Sequence, residues 1–196
     1  MRTLLQGDFT VETAPGGVET SEFLDPRLED VQPVDEAAFR QAMRLLPASV
    51  VMVTTRIDGR PWGLTISSCC SLTLSPPQIL VSVQLRTATC QEILRSRRFG
   101  ASILASGHKA VAEHGAAPGA AKFIDHFCEP GIGENVGSPA ITGALYHLDC
   151  RLADTHQVGD HMLLVGLVEA AYELEGDETR PLVYFDGQFW TLGLTV

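Results

Sequence analysis

A mostly β, α+β domain, most simply a closed or nearly closed antiparallel barrel with short helices between its strands, is what this chain of 196 residues predicts. Three observations carry that expectation. About seven short runs are β-branched or alternate apolar with polar residues, the pattern of half-buried strands. Two Asp-Gly pairs, Asp58-Gly59 and Asp186-Gly187, stand between such runs as hairpin turns. Helical periodicity is confined to short segments, and no strand leads into GxGxxG or GxxxxGKS, so neither a dinucleotide-binding doubly wound sheet nor a phosphate loop has support.

The elements follow in order. Residues 1–34 are acidic, dotted with Gly and Pro and without sustained apolar period, which reads as an arm, disordered or packed on a neighbour, ahead of a domain over 35–196. Asp35 is a suitable N-cap, and Phe39, Ala42, Met43 and Leu46 then fall on one helical face before Pro47 ends the helix. SVVMVTT at 49–55 is a strand that turns at Asp58-Gly59 into residues 61–77, PWGLTISSCCSLTLSPP, where two apolar strand-like segments flank a polar centre. QILVSV at 78–83 is a further strand, followed by a polar loop over 84–89 and a short helix over 90–96 with Ile93 and Leu94 inward. FGASIL at 99–104 is a strand, 108–114 a helical turn, and GAAPGAAKF small and loose. The Gly-, Pro- and Asn-rich stretch 123–140 reads as a surface loop. In 143–154, Leu145, His147, Asp149 and Arg151 alternate with Ala144, Tyr146, Leu148 and Cys150 as on a strand. Residues 159–169 form another strand opened by a turn, and 181–185 and 188–192 a last hairpin.

Composition narrows the function classes. At 45% hydrophobic the chain can bury one good core. Fourteen basic against 24 acidic residues, a net charge of -10, argue against nucleic acid or an anionic membrane surface as partner and point to small molecules or proteins. Five cysteines, two of them adjacent at 69 and 70, form neither a disulfide framework nor a CxxC pair, so reduced thiols in a cytoplasm are expected. The N-terminus lacks the apolar core of a secretory signal, and no stretch reaches the roughly 20 apolar residues of a membrane span. His126 and Cys128 lie two apart without a second ligand pair, so no metal site is expected.

The chemistry concentrates at 61–77. A run built only for a core would not place Thr65, Ser67 and Ser68 at its centre, since each buried hydroxyl needs a partner, and a flat, polar-edged ligand would use them all. A barrel strand turning its hydroxyls to solvent is the alternative. Arg86, Thr87 and Thr89 precede a helix in a manner suited to a phosphate, or to an ordinary cap with a solvated Arg. Asp160 and His161 put an acid and an imidazole at a strand entrance, for proton transfer or ligand orientation, or simply as a turn Asp and a satisfied His. Cys69 and Cys70, as neighbours on a strand, point to opposite faces, which disfavours a bond between them.

Taken in order, TxSSxxSLxLxPP at 65–77, RTAT at 86–89, KF at 122–123, GDHMLLVGLVE at 159–169 and PLVYFDGQFWTL at 181–192 resemble the flavin reductase family, the small NAD(P)H-dependent partners of two-component flavin monooxygenases. The resemblance runs from about Phe39 to Leu192. It implies a split β-barrel with a Greek-key core that binds FMN or FAD, as a homodimer with sites near the subunit interface, and uses NADH or NADPH. By position, Gly63, Thr65, Ser67, Ser68 and Cys69 would line the isoalloxazine, Ser82 and Gln84 would continue that wall, and Thr87 and Thr89 would hold the phosphate. Lys122 and Phe123 would close on the flavin. His161, with Asp160 beside it, would face the nicotinamide as the catalytic candidate, and Tyr184 and Phe185 would border the dinucleotide. The resemblance implies hydride transfer from nicotinamide to flavin and delivery to a separate oxygenase. Relatives commonly carry an aromatic at the position of Cys69 and an acid at that of Ala121, which leaves two further readings open: a flavin-dependent tailoring enzyme, or a flavin-binding protein without catalysis.

Overall fold

A computed structural model describes residues 31–129, 131 and 137–193. The chain divides into Met1–Val31 and Gln32–Val196. Of the expected arm, residues 1–30 lie outside the described residues, and 31–34 are exposed coil.

The first helix, α1 (Glu36–Arg44), starts where Asp35 accepts a 3.0 Å hydrogen bond from the Ala38 amide, with Glu36 in its first turn and Arg44 in its last complementing the helix dipole. Its expected inward face is not buried: Phe39 is 57% and Leu46 58% exposed. Amphipathic spacing marks a face that prefers apolar company, but none of the described residues buries it.

Among the described residues ten strands follow: β1 (Ala48–Ser49), β2 (Val51–Ile57), β3 (Arg60–Ile66), β4 (Cys69–Leu74), β5 (Pro77–Gln84), β6 (Arg98–Ile103), β7 (Tyr146–Val158), β8 (His161–Glu173), β9 (Leu182–Phe185) and β10 (Gln188–Thr191). Two more helices, α2 (Ala88–Ser96) and α3 (Lys109–Ala116), and 3₁₀ turns at Ser106–His108 and Asp125–Phe127 lie between them. Both Asp-Gly turns have positive φ at each residue, 52° and 77° at Asp58-Gly59 and 47° and 77° at Asp186-Gly187, the backbone that lets a two-residue loop match strand twist.

Seven strands make one antiparallel sheet in the order β3-β2-β6-β7-β8-β5-β4, and β1-β9-β10 make a second. The edge strands β3 and β4 are consecutive in the chain, joined by Ser67-Ser68, yet no ladder pairs them among the described residues. The barrel is therefore split at this seam rather than closed.

Strand β2 has a core on each side. Val51 and Val53 face a cluster with Ile79, Val81 and Val83 of β5 and Phe99 of β6, which Cys90 and Ile93 of α2 also enter. Val50 and Met52 face a second cluster with Leu104, Val111, Ile124, Ile141 and Leu182. A fully buried Phe99 or Ile93 contributes about 1.5–3 kcal/mol each.

Three expectations change here. The helix at 90–96 begins two residues earlier, because the Thr87 hydroxyl accepts from the Cys90 amide and serves as N-cap. The turn at 108–114 is a 3₁₀ turn running into α3. The stretch 123–140 is not simply a surface loop: Ile124 and Ala140 are 0% exposed and Ser138 4%, because its two ends pack into the body while its polar middle supplies the Gly-Pro signal.

Candidate active site

The seam exposes the polar centre of 61–77. The Ser68 hydroxyl donates to the Ser82 carbonyl at 2.8 Å, and the Ser68 carbonyl accepts from the Ser82 amide at 3.0 Å. The Ser67 hydroxyl and the amides of Ser67 and Ser68 have no partner among the described residues. Beside Ser67 opens a groove of about 510 Å³ bordered by Arg40, Arg44, Leu46 and Tyr184, so Tyr184 and Ser67 share one recess. Cys69 turns inward against the first core while Cys70 is exposed. Burial, then the neighbouring Cys70, pushes the Cys69 thiol up to about 11, which keeps it protonated at neutral pH.

Gly63 and Thr65 are engaged inside. The Thr65 hydroxyl donates to the Ala112 carbonyl of α3 at 2.8 Å, and the Gly63 amide donates to the Lys122 carbonyl at 3.0 Å. A Cβ at Gly63 would lie 2.6 Å from Met52 Sδ, so the glycine permits this close packing. Lys122 donates through Nζ to the Ala117 carbonyl, and burial lowers its pKa. The Phe123 ring meets Trp62 edge-on at 5.0 Å and carries the Arg60 guanidinium 3.9 Å above its centroid, with Arg60 also paired to Asp125 at 2.9 Å. Trp62 Nε1 donates to Thr89 Oγ1 at 3.0 Å, and Thr89 is only 1% exposed. Trp62, Arg60 and Asp125 thus brace the Lys122-Phe123 turn, and none was singled out from sequence, since their pairing joins segments over 60 residues apart.

A third group sits where β5 ends. Gln84 and His161 are paired across the β5–β8 ladder. His161 Nδ1 lies 2.7 Å from Asp160 Oδ1, and Gln84 Nε2 donates to Asp160 Oδ2 at 3.4 Å. The His161 hydrogen bond, then that of Gln84, holds the Asp160 carboxyl below its ordinary value. With Nδ1 engaged, Nε2 is the nitrogen left for a ligand. The Thr87 hydroxyl donates to the Gln84 carbonyl at 2.8 Å, and the first two amides of α2, Ala88 and Thr89, have no partner among the described residues. Two free amides on a helix N-terminus beside Arg86 suit an anion.

Ser82 and Gln84 lie two apart on β5 and so share a face, which puts the seam and the His161 group along one strand. Thr89 ties the Phe123 group to the start of α2. The structure therefore joins Gln84, Thr87, Asp160 and His161 through hydrogen bonds and Ser68 to Ser82, with Ser67 next in the chain, while the side chain of Thr65 is committed to α3.

The model of the flavin reductase like domain matches residues 43–193. The chain belongs to the flavin reductase family. It is 34% identical over 166 residues, 84% of this chain and 86% of the other, to the reductase component of a Rhodococcus opacus 4-nitrophenol 4-monooxygenase/4-nitrocatechol 2-monooxygenase. It is 34% identical over 183 residues, 90% and 94%, to an NADH-dependent flavin reductase of a Rhodococcus species. The flavin reductase component of a bacterial two-component tryptophan halogenase superposes with a TM-score of 0.72 at 31% identity, covering 82% of this chain and all of that one. A Streptomyces globisporus NADH:FAD oxidoreductase in complex with NAD and FAD fragments superposes with a TM-score of 0.71 at 29% identity, covering 84% and 97%.

The donor set fits a flavin nucleotide. Unpartnered amides at Ser67 and Ser68 suit the carbonyl and nitrogen edge of an isoalloxazine, and the free amides opening α2 suit its phosphate.

Proposed function

We propose that this protein is an NAD(P)H-dependent flavin reductase that passes a hydride from reduced nicotinamide to FMN or FAD and supplies the reduced flavin to a separate monooxygenase. The observation that carries the reading is the family membership of residues 43–193 together with free donors at both the Ser67-Ser68 seam and the start of α2. A bound flavin supplies the hydride acceptor. The chain's own residues supply position and shielding, which is most of what a hydride transfer between two stacked rings requires. Ser67 and Ser68 would hold the ring edge through their two backbone amides and the Ser67 hydroxyl. Thr87, by capping α2, fixes the amides of Ala88 and Thr89 that would hold the phosphate. Lys122 and Phe123, braced by Trp62, would cover the ring. His161, its Nδ1 held by Asp160, would present Nε2 to the nicotinamide side.

The relatives named as NADH-dependent favour NADH over NADPH. The uncovered face of α1, with Phe39 and Met43 exposed, favours a homodimer. No described helix is long and apolar enough to cross a membrane. The test is direct: purified protein mixed with NADH and FMN or FAD should consume NADH, followed by loss of its near-ultraviolet absorbance. No consumption with any pairing of NADH or NADPH with FMN or FAD would overturn the proposal.

A further inference from the structure

On the far side of β6 from the first core lies a polar cluster that the proposed chemistry does not use. Ser102 and His147 are 0% exposed, Ser138 4% and Asp149 7%. The Ile141 amide donates to Ser102 Oγ at 3.1 Å, and Ser102 Oγ lies 2.8 Å from His147 Nδ1. His147 Nε2 lies 3.3 Å from Ser138 Oγ, which donates to Asp149 Oδ1 at 2.7 Å. Only one assignment of protons leaves each of these groups satisfied. Ser102 accepts from Ile141 and donates to Nδ1, so the imidazole carries its proton on Nε2, donates to Ser138, and Ser138 donates onward to the carboxylate. The bonds run in one direction, from the Ile141 amide to Asp149.

The chain of bonds spans β6, β7 and the segment 137–141. The Ser138 amide also donates to Asp149 at 3.1 Å, and Thr54 Oγ1 donates to the Pro139 carbonyl at 2.6 Å. From there the connection to the site is short. The Thr142 amide donates to the Phe127 carbonyl and the Glu129 amide to the Ala140 carbonyl, both at 2.8 Å. Ile141 and Ile124 share the second core. Ile124 and Lys122 are bound to β3 through the Pro61 carbonyl and the Gly63 amide.

We propose that Ser102, His147, Ser138 and Asp149 act as positioning residues that latch segment 137–142 to the barrel and thereby set the place of Lys122 and Phe123 over the flavin site. The link to flavin rests on the proposed reductase function; the latch itself does not. The groups facing His147 are Asp149 on its own strand, Tyr172 of β8 with its ring centroid 6.2 Å away, Ser102 of β6 and Ser138. Arg98 of β6 reaches Asp149 at 3.5 Å and also pairs with Glu169 of β8. Protonating Nδ1 would reverse its bond to Ser102, whose oxygen can accept from both Nδ1–H and the Ile141 amide, so the directed run from Ile141 to Asp149 belongs to the neutral imidazole.

The test is Ser102→Ala, read in two ways. In hydrogen exchange, the amides of Gly63, Ile124 and Thr142 should exchange about tenfold faster while those of β5 and β8 are unchanged, as for a local opening. In steady-state reduction, the flavin KM should rise about fivefold with kcat at saturating flavin within about twofold, the pattern of lost ground-state positioning. Unchanged exchange at all three amides overturns the latch. Faster exchange with an unchanged flavin KM overturns the link to the site while leaving the reductase reading intact. If the wild-type protein reduces no flavin, that reading fails separately, and the exchange result still decides the latch. Should Ser102→Ala not fold, Ser138→Ala, which removes the link from His147 to the Asp149 carboxylate, is read by the same criteria.

Discussion

Neutralising the buried imidazole permanently should flatten the acid limb of this protein's stability. His147 is 0% exposed, and burial lowers its pKa from 6.5 to about 4 against the opposing pull of Asp149. The fold therefore binds that proton about 3 kcal/mol less tightly than the unfolded chain does, at roughly 1.4 kcal/mol per tenfold change in affinity. The sign follows from linkage: between 6.5 and about 4 the unfolded state is protonated and the folded state is not, so stability falls as pH falls through that window and the effect levels off beneath it. Asp125, Asp160, Glu169 and Glu178 are held low by their partners and also lose stabilisation in acid, but they do so in both proteins of a matched pair. His147→Gln removes the titration, and at pH 7 it should cost about 1–3 kcal/mol for the groups left unpaired. Urea midpoints at several pH values should show wild-type losing about 3 kcal/mol more than the variant between pH 6.5 and 4. Parallel curves, or an NMR titration of the His147 ring with a midpoint near 6.5, would refute the reasoning.

Other consequences can be checked with single substitutions. At Gly100, an added Cβ would fall inside contact distance of Thr54 Oγ1, His147 Cε1 and Ser138 Oγ, so Gly100→Ala should cost about 1–3 kcal/mol by thermal unfolding, and no loss would mean the cluster is looser than drawn. Thr87→Ala removes the α2 cap, about 1 kcal/mol, and should weaken flavin binding in a fluorescence titration; unaltered binding would take the start of α2 out of the site. His161→Ala should lower kcat while leaving flavin affinity within about twofold, and the reverse pattern would put His161 on the flavin. Iodoacetamide at neutral pH should label exposed Cys70 well before Cys69, whose thiolate fraction near pH 7 is on the order of one in ten thousand; equal labelling would show that the seam opens to solvent.

Much of the architecture was local enough to read in advance. The Asp-Gly turns, the alternation in 78–83 and the β-branched run at 49–55 each declare themselves within a few residues, because side-chain period and turn backbone are short-range properties. The site was legible in part. Ser67, Ser68, Thr87 and His161 stand in ordered motifs and reach positions where a ligand can meet them. Thr65 and Thr89 stand in the same motifs, but their hydroxyls are taken by Ala112 and Trp62, partners 47 and 27 residues away that no local pattern announces. The face of α1 is the opposite case, a strong local signal that no apolar surface among the described residues buries.

What the amino-acid sequence determined by itself is the strand-rich class, the hairpins and, through the order of its motifs, the flavin reductase resemblance. Tertiary structure alone decided that β3 and β4 part at Ser67-Ser68 and that Ile141, Ser102, His147, Ser138 and Asp149 line up in one directed chain. The sequence placed His147 and Asp149 on a common strand face. Whether a buried imidazole is a liability or a latch depends on what faces it, and those partners come from strands and loops up to 45 residues distant.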